Sequence, residues 1–319
     1  MTSSASPATA RKPFLATTPG MVLACTVACI LWGSAFPCVK IGYAMFGIDS
    51  ADVPSIIAFA GARFLISGVL VVVGMSIARR RPFVPARGDW APALKLSMFQ
   101  TILQYVLFYI GLSRCSGVTS SIIEASNSFI IVLLAIYAFR TERMTAAKAI
   151  GCALGFGGVL LVNLGGGAGG LGFRLDGEGL VFLSTFASAT SSNLCKRYSV
   201  DHDPVLLSGW QFVIGGVVML AMGLAMGGRV APAAGANPAA AIALLVYLGF
   251  ISAAAYSLWS ATIAANDVSR VAVFGFINPV FGVILSALLL GETSVLSPAL
   301  AVASLVLVSA GIIIVNRRA

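Results

Sequence analysis

The sequence predicts an all-α integral membrane protein of ten transmembrane helices, built as two inverted five-helix repeats. Three observations lead there. Of the 319 residues, 59% are hydrophobic and 10% charged, with a mean hydropathy of +0.98, whereas a soluble domain carries about a quarter charged residues. The apolar residues gather into ten runs, each near the ~20 residues a helix needs to cross hydrocarbon with its backbone groups satisfied internally. Two of these runs also match one another at a fixed offset: Val118 falls on Val268 and Glu142 on Glu292.

The first run, 20–41, follows a polar Ser/Thr/Ala-rich tail, residues 1–19, that holds Arg11 and Lys12. It is longer than a signal-peptide core and no clear A-x-A site ends it, so it reads as a retained helix. Pro37 lies inside it, where it removes a backbone bond and bends the helix. The second run, 54–78, buries Arg63. The third, 91–113, places Gln100 and Gln104 on one face, with Thr101, Tyr105 and Phe108 on an adjoining one. The fourth, 118–139, carries Ser120, Glu124, Asn127 and Ser128 at i, i+4, i+7 and i+8, a single stripe. The fifth, 145–163, offers Gly151, Gly155 and Gly158 as a small-residue face for close helix packing.

A Gly-rich stretch, Gly165–Gly172, within a linker of residues 164–178 separates the first repeat (20–163) from the second (179–319). The sixth run, 179–197, is the least apolar: Ser184, Thr185, Ser188, Thr190, Ser191, Ser192 and Asn193 crowd into it. It can be inserted only if that face meets protein or water. The seventh, 204–227, holds Trp210 and Gln211. The eighth, 239–262, repeats an aromatic and hydroxyl spacing with Ser252, Tyr256, Trp259 and Ser260. The ninth, 268–290, holds Asn278 and a second internal proline, Pro279, and the tenth is 296–316. Glu142 and Glu292 sit at run ends, where each suits a cap on the following helix.

The net charge of +9 resides in short clusters between apolar runs, which argues for membrane orientation and against nucleic acid. With the N-terminus inside, the inner side receives Arg11, Lys12, Arg79, Arg80, Arg81, Arg87, Arg140, Arg143, Lys148, Lys196, Arg197, Arg270, Arg317 and Arg318. The outer side receives Lys40, Arg114, Arg174 and Arg229. The positive-inside rule then sets both termini in the cytoplasm, as an even number of spans requires.

The repeat extends beyond its anchor pair. The first and sixth runs align through Lys40 and Lys196, the second and seventh around Arg63 and Gln211. Five helices per unit is odd, so the second copy enters the membrane upside down. Inverted repeats recur in carriers, with substrate near the midplane at the repeat interface.

The strings WGSAFPCVK (Trp32–Lys40), ARF around Arg63, FINPVFGVILSALLLGE (Phe276–Glu292) and GIIIVN (Gly311–Asn316) resemble the EamA-type branch of the drug/metabolite transporter superfamily over essentially the whole chain. The resemblance implies ten spans in two inverted repeats and export of amino acids or other metabolites, with uptake in some members. YddG-like amino acid exporters are the subgroup it points to first. One departure concerns the fourth run, where Ser128-Phe129 stands opposite Asn278-Pro279, so the paired kink of the family is not expected there.

Polar groups in hydrocarbon need partners or water and so mark interfaces and cavities. Gln104, Tyr105, Glu124, Asn127, Ser192, Trp210, Tyr256, Trp259 and Asn278 are the expected substrate-contacting set, and Pro37 and Pro279 the expected gating bends. Arg63 and Glu124 are expected at similar depth, either as a static ion pair or as a substrate-facing or proton-coupling pair. The six cysteines form no C-x-x-C and read as small buried residues. A single histidine, His202, rules out a multi-histidine metal site, and no cofactor is expected. No G-x-x-x-x-G-K-[ST], H-E-x-x-H or G-x-S-x-G string occurs, so the expectation is a secondary carrier in the cytoplasmic membrane and not an enzyme. Its partners would be a small-molecule substrate and the lipid bilayer, with no nucleic acid. The rivals from other classes are a channel and a non-transporting membrane partner protein.

Overall fold

In a computed structural model the described residues are 13–112, 114, 117–164, 175–290 and 298–316. Their regular secondary structure is all helical. The helices are α1 (Thr18–Phe46), α2 (Val53–Arg79), α3 (Trp90–Leu112), α4 (Gly117–Leu133), α5 (Ala146–Leu164), α6 (Leu180–Tyr198), α7 (Pro204–Ala225) and α8 (Pro238–Ala265). Then come α9, which is broken into Val268–Ala272, a 3-10 turn at Val273–Phe276, and Ile277–Leu290, and finally α10 (Pro298–Asn316). The glycine-rich linker, Glu292, Cys115, Arg174, Arg11, Lys12, Arg317 and Arg318 lie outside the described residues, as does the side chain of Ser120.

Local chemistry sets the ends. Thr17, Asp52, Asp203 and Asn237 accept backbone N–H groups of the first turn they precede, and each is followed by a proline at the first or second helical position. Gly47, at φ +61, closes α1 in the left-handed region that glycine enters freely. Capping carries α1 and α8 several residues beyond the apolar runs. The 3-10 turn Phe14–Ala16 occupies the end of the expected polar tail, and Asn266 after α8 donates to Leu15 O at 2.8 Å.

Among the described residues, five helices are long and apolar enough to cross a membrane: α1, α2, α3, α7 and α8. The others are shorter or interrupted. α4 widens into a π-helical turn at Leu134–Ala138, α6 follows one at Leu175–Gly179 and carries the Ser/Thr stripe, and α9 breaks ahead of Pro279.

Glycines set the closest approaches. On α2 and α7, a Cβ on Gly61 would stand 2.2 Å from the Leu220 backbone, and one on Gly216 would stand 2.3 Å from that of Leu65. On α5 and α10, Gly151 faces Val315 and the Gly311 carbonyl, and Ser304 Oγ donates to Gly158 O at 2.5 Å. This is the small-residue packing expected of α5. α1 packs on α8 and α9, and correspondingly α6 packs on α3 and α4. α2 packs on α8, and α7 on α3. Replacing each helix by its counterpart in the other half reproduces this pattern.

The loops sort into two ends. At one, Arg79 pairs with Asp203 at 2.7 Å, His202 with Asp89 at 2.6 Å, and Asn266 reaches Leu15. Glu142 also belongs to this end and accepts from Lys148 Nζ at 2.7 Å and from Ser269 N at 3.1 Å and its hydroxyl. At the other, Ala233 N donates to Met45 O, Arg229 N to Ser55 Oγ, and Arg114 pairs with Asp176. Glu142 therefore caps α9 and not the helix that follows it. Thr145 caps α5 instead, by accepting from Lys148 N. Burial opposes the Glu142 charge, but the Lys148 and Ser269 hydrogen bonds outweigh it and hold the carboxyl below its usual value.

Candidate substrate site

The centre of the bundle is an aromatic and hydroxyl cluster drawn from α1, α2, α3, α7 and α8. The hydroxyls of Tyr105 (α3) and Tyr256 (α8) share a hydrogen bond at 2.6 Å. Trp32 (α1) meets Tyr256 edge-on at 4.8 Å and Trp259 at 5.2 Å. Phe64 (α2) stacks on Phe212 (α7) at 5.3 Å, and Phe212 meets Tyr256 edge-on at 5.0 Å. Such edge and offset contacts are favoured by the ring quadrupoles.

The π-helical turn Ser97–Leu103 contains Gln100 and Thr101 and hands over to Gln104. Wide turns of this kind change the angular phase of a helix and often accompany functional sites. Here it alters the relation between the Gln100–Gln104 face and the tyrosines beyond it. Gln104 Oε1 is buried without a partner, as are Trp32 Nε1 and Gln211 Oε1. Orphaned polar atoms in an interior are uncommon and call for water or ligand.

On the α4–α6 side, Asn127 Nδ2 donates to Ser188 Oγ at 3.1 Å, leaving Asn127 Oδ1 free of partners. Glu124 lies on the same stripe, half-buried, and within electrostatic reach of Tyr256. Asn278 on α9 is half-buried with its Oδ1 unpartnered. Part of the α6 stripe is satisfied inside its own helix: Ser184, Thr185 and Ser191 donate to carbonyls three residues back. Ser192 is buried beside them. Asn193 ties α6 to α4 through Ile131 O.

Two expectations need correction. Arg63 does not pair with Glu124. Its guanidinium turns toward α3 and α8 and donates to Leu248 O, Tyr109 and Ser252 at 3.3, 3.2 and 3.0 Å. Trp210 does not join the central wall. Its Nε1 donates to Phe83 O at 2.9 Å and its ring abuts Trp90, and Phe212 takes the central place. Two residues along a helix turn a side chain by about 200°, so Trp210 and Phe212 cannot face the same space. Phe64, Tyr109 and Phe212 were missed. Tyr109 could have been found one turn beyond Tyr105, and the other two as immediate neighbours of Arg63 and Gln211.

Pro37 and Pro279 flank a close crossing. A Cβ on Gly33 would meet Phe281 at 2.8 Å, and one on Gly282 would meet Phe36 at 3.0 Å. A proline nitrogen has no hydrogen for the carbonyl four residues back, which belongs to Gly33 in α1 and Gly275 in α9. The α9 break, Val273–Phe276, spans that second carbonyl. Five of the six cysteines are buried and free. No cluster of three potential metal ligands occurs among the described residues.

The EamA-like transporter family matches residues 18–164 and again 175–317. The chain belongs to the EamA-like transporter family. The family domain is thus present twice, and this EamA-like chain is an integral membrane protein and a transporter. An "Uncharacterized transporter" of Archaeoglobus fulgidus is 28% identical over 304 residues, covering 93% of this chain and 98% of that protein. A "Probable terminal-alkyne amino-acid exporter" of Streptantibioticus cattleyicolor is 25% identical and covers 93% of each. A "Probable amino-acid metabolite efflux pump" of Salmonella typhimurium is 25% identical, covering 83% of this chain and 85% of that one. A solved crystal structure shares the fold with a TM-score of 0.73 at 16% identity, over 94% of this chain and 97% of that one.

Proposed function

We propose that this EamA-like transporter is a secondary carrier that exports amino acids or closely related organic solutes across the cytoplasmic membrane by alternating access. On this reading it has ten spans in two inverted repeats, with both termini cytoplasmic. The observation that carries it is the central cluster. It joins a tyrosine–tyrosine bridge and two tryptophans, with Glu124 in electrostatic reach of Tyr256, and the same interior holds orphaned amide oxygens on Gln104, Asn127, Gln211 and Asn278. Apolar rings beside a few convergent polar groups suit a solute with both apolar and charged parts. The span count and orientation draw support from the exchange pattern of helix contacts, the two-sided sorting of loops and the basic residues gathered at one end. Exporter names among the relatives favour the direction.

Counterflow in liposomes tests it. A carrier exchanges labelled amino acid and saturates. A flux that never saturates would mean a channel, and no flux with any solute would mean a partner protein. Glu124 is assigned to coupling: Glu124→Gln flattens the pH dependence of counterflow, and an unchanged pH profile removes protons from the mechanism.

A further inference from the structure

Among the described residues, no acidic side chain pairs with Arg63. Its side chain is 4% exposed and lies among α2, α3 and α8. The three acceptors it uses are a backbone carbonyl, a phenol and a serine hydroxyl, all neutral. Phe64 lies 5.2 Å from the guanidinium carbon. Arg79–Asp203, Arg114–Asp176 and Lys148–Glu142 pair near helix ends, and His202 hydrogen-bonds to Asp89 there. None involves Arg63.

A guanidinium cannot shed its proton to escape this position. An isolated charge in the hydrocarbon zone is costly, and such residues are retained where they pair or meet a substrate path. A role limited to strapping α2 to α3 and α8 would not need a formal charge, whose desolvation is costly. Three of its five N–H groups are engaged, which leaves two for a further acceptor. Tyr109 and Ser252 hold the planar group in place, and a fixed guanidinium plane is suited to a carboxylate.

We propose that Arg63 is the receptor for the carboxylate of the transported solute, which supplies the missing counter-charge while it is bound. This rests on the carrier reading above and narrows it. Solutes with a free carboxylate are recognised, and their amides and esters are not. Tyr105 and Tyr256, within electrostatic reach of the guanidinium, and Trp32, which packs on Tyr256, then receive the rest of the solute.

Purified protein in detergent is melted with L-phenylalanine, L-leucine, L-threonine or L-glutamate, each beside its α-amide and methyl ester. The same compounds compete in liposome counterflow. At least one free acid raises Tm and competes, while its amide and ester act at least tenfold more weakly. In Arg63→Gln, which removes the charge, the acid and amide become equal, and in Arg63→Lys a preference for the acid survives. Equal effects of acid and amide on the native protein overturn the assignment, as does no Tm shift with any free acid, or acid preference persisting in Arg63→Gln. If Arg63→Gln does not fold, the acid-to-amide comparison on the native chain decides alone. Absence of counterflow sinks the carrier reading but leaves the Tm comparison to judge Arg63, so the two failures are distinguishable.

Discussion

At the scale of single residues, the interior contains polar atoms that the fold does not satisfy by itself. The Tyr105–Tyr256 hydrogen bond is short and bridges α3 to α8. A net contribution of about 1 kcal/mol is ordinary for one intramolecular hydrogen bond. Tyr105→Phe is therefore expected to keep the protein folded, with a small drop in Tm, and to raise KM about fivefold in counterflow. Trp210 behaves otherwise. Its indole N–H is committed to Phe83 O at the helix end shared with Arg79 and Asp203, so Trp210→Phe lowers Tm by the loss of one hydrogen bond, about 1 kcal/mol, while solute selectivity is unchanged. A selectivity change in that variant would restore Trp210 to the substrate wall. The sequence identified both tyrosines because polar residues at helical spacing are conspicuous in hydrocarbon. It misassigned Trp210 because type and position do not reveal rotation within a bundle.

Among the elements, the α2–α7 contact sets how closely the two halves meet. Gly61 and Gly68 on α2 and Gly209, Gly216 and Gly223 on α7 recur at seven-residue spacing, two helical turns apart. A side chain at Gly216 would strike the Leu65 backbone at 2.3 Å, whereas nothing lies within 4 Å of a Cβ on Gly74. Gly216→Val is expected to destabilise the protein by at least the 1–3 kcal/mol typical of overpacking, that is, about 1 kcal/mol or more. Gly74→Val leaves Tm within a degree or two. Comparing the melting curves of both variants checks the contact. That glycine period was legible in the sequence and went unread, since an apolar run with glycine every seventh residue resembles any other apolar run. The π-helical turns in α3 and α4 had no sequence signal, since the residues that form them keep the same apolar pattern as the α-helix around them.

Across the whole molecule, the two halves are fastened where Glu142, after α4, caps α9 and holds Lys148. Its carboxyl is held below the usual value, so its contribution to stability is complete above the ordinary carboxylate pKa and fades as pH falls through the depressed one. Glu142→Gln should cost about 1–3 kcal/mol at neutral pH, the range for leaving partners unsatisfied. The gap to the native protein should close below about pH 4. Melting curves of both proteins across pH 3–8 measure this, and a gap independent of pH would mean that the carboxylate charge does not matter.

The sequence by itself determined the solvent, the helical class, the order of the helices and the repeat. Each of these follows from the same rule: hydrocarbon cannot hydrogen-bond to backbone, so apolar length and basic loops write themselves directly into composition. The tertiary structure alone decided which polar residues meet. The Arg63 guanidinium went to neutral hydroxyls and a carbonyl and not to Glu124, and Glu142 crossed to α9. Partnership in a bundle depends on helix rotation and on contacts between distant parts of the chain, and neither is set by the local spacing that a sequence displays.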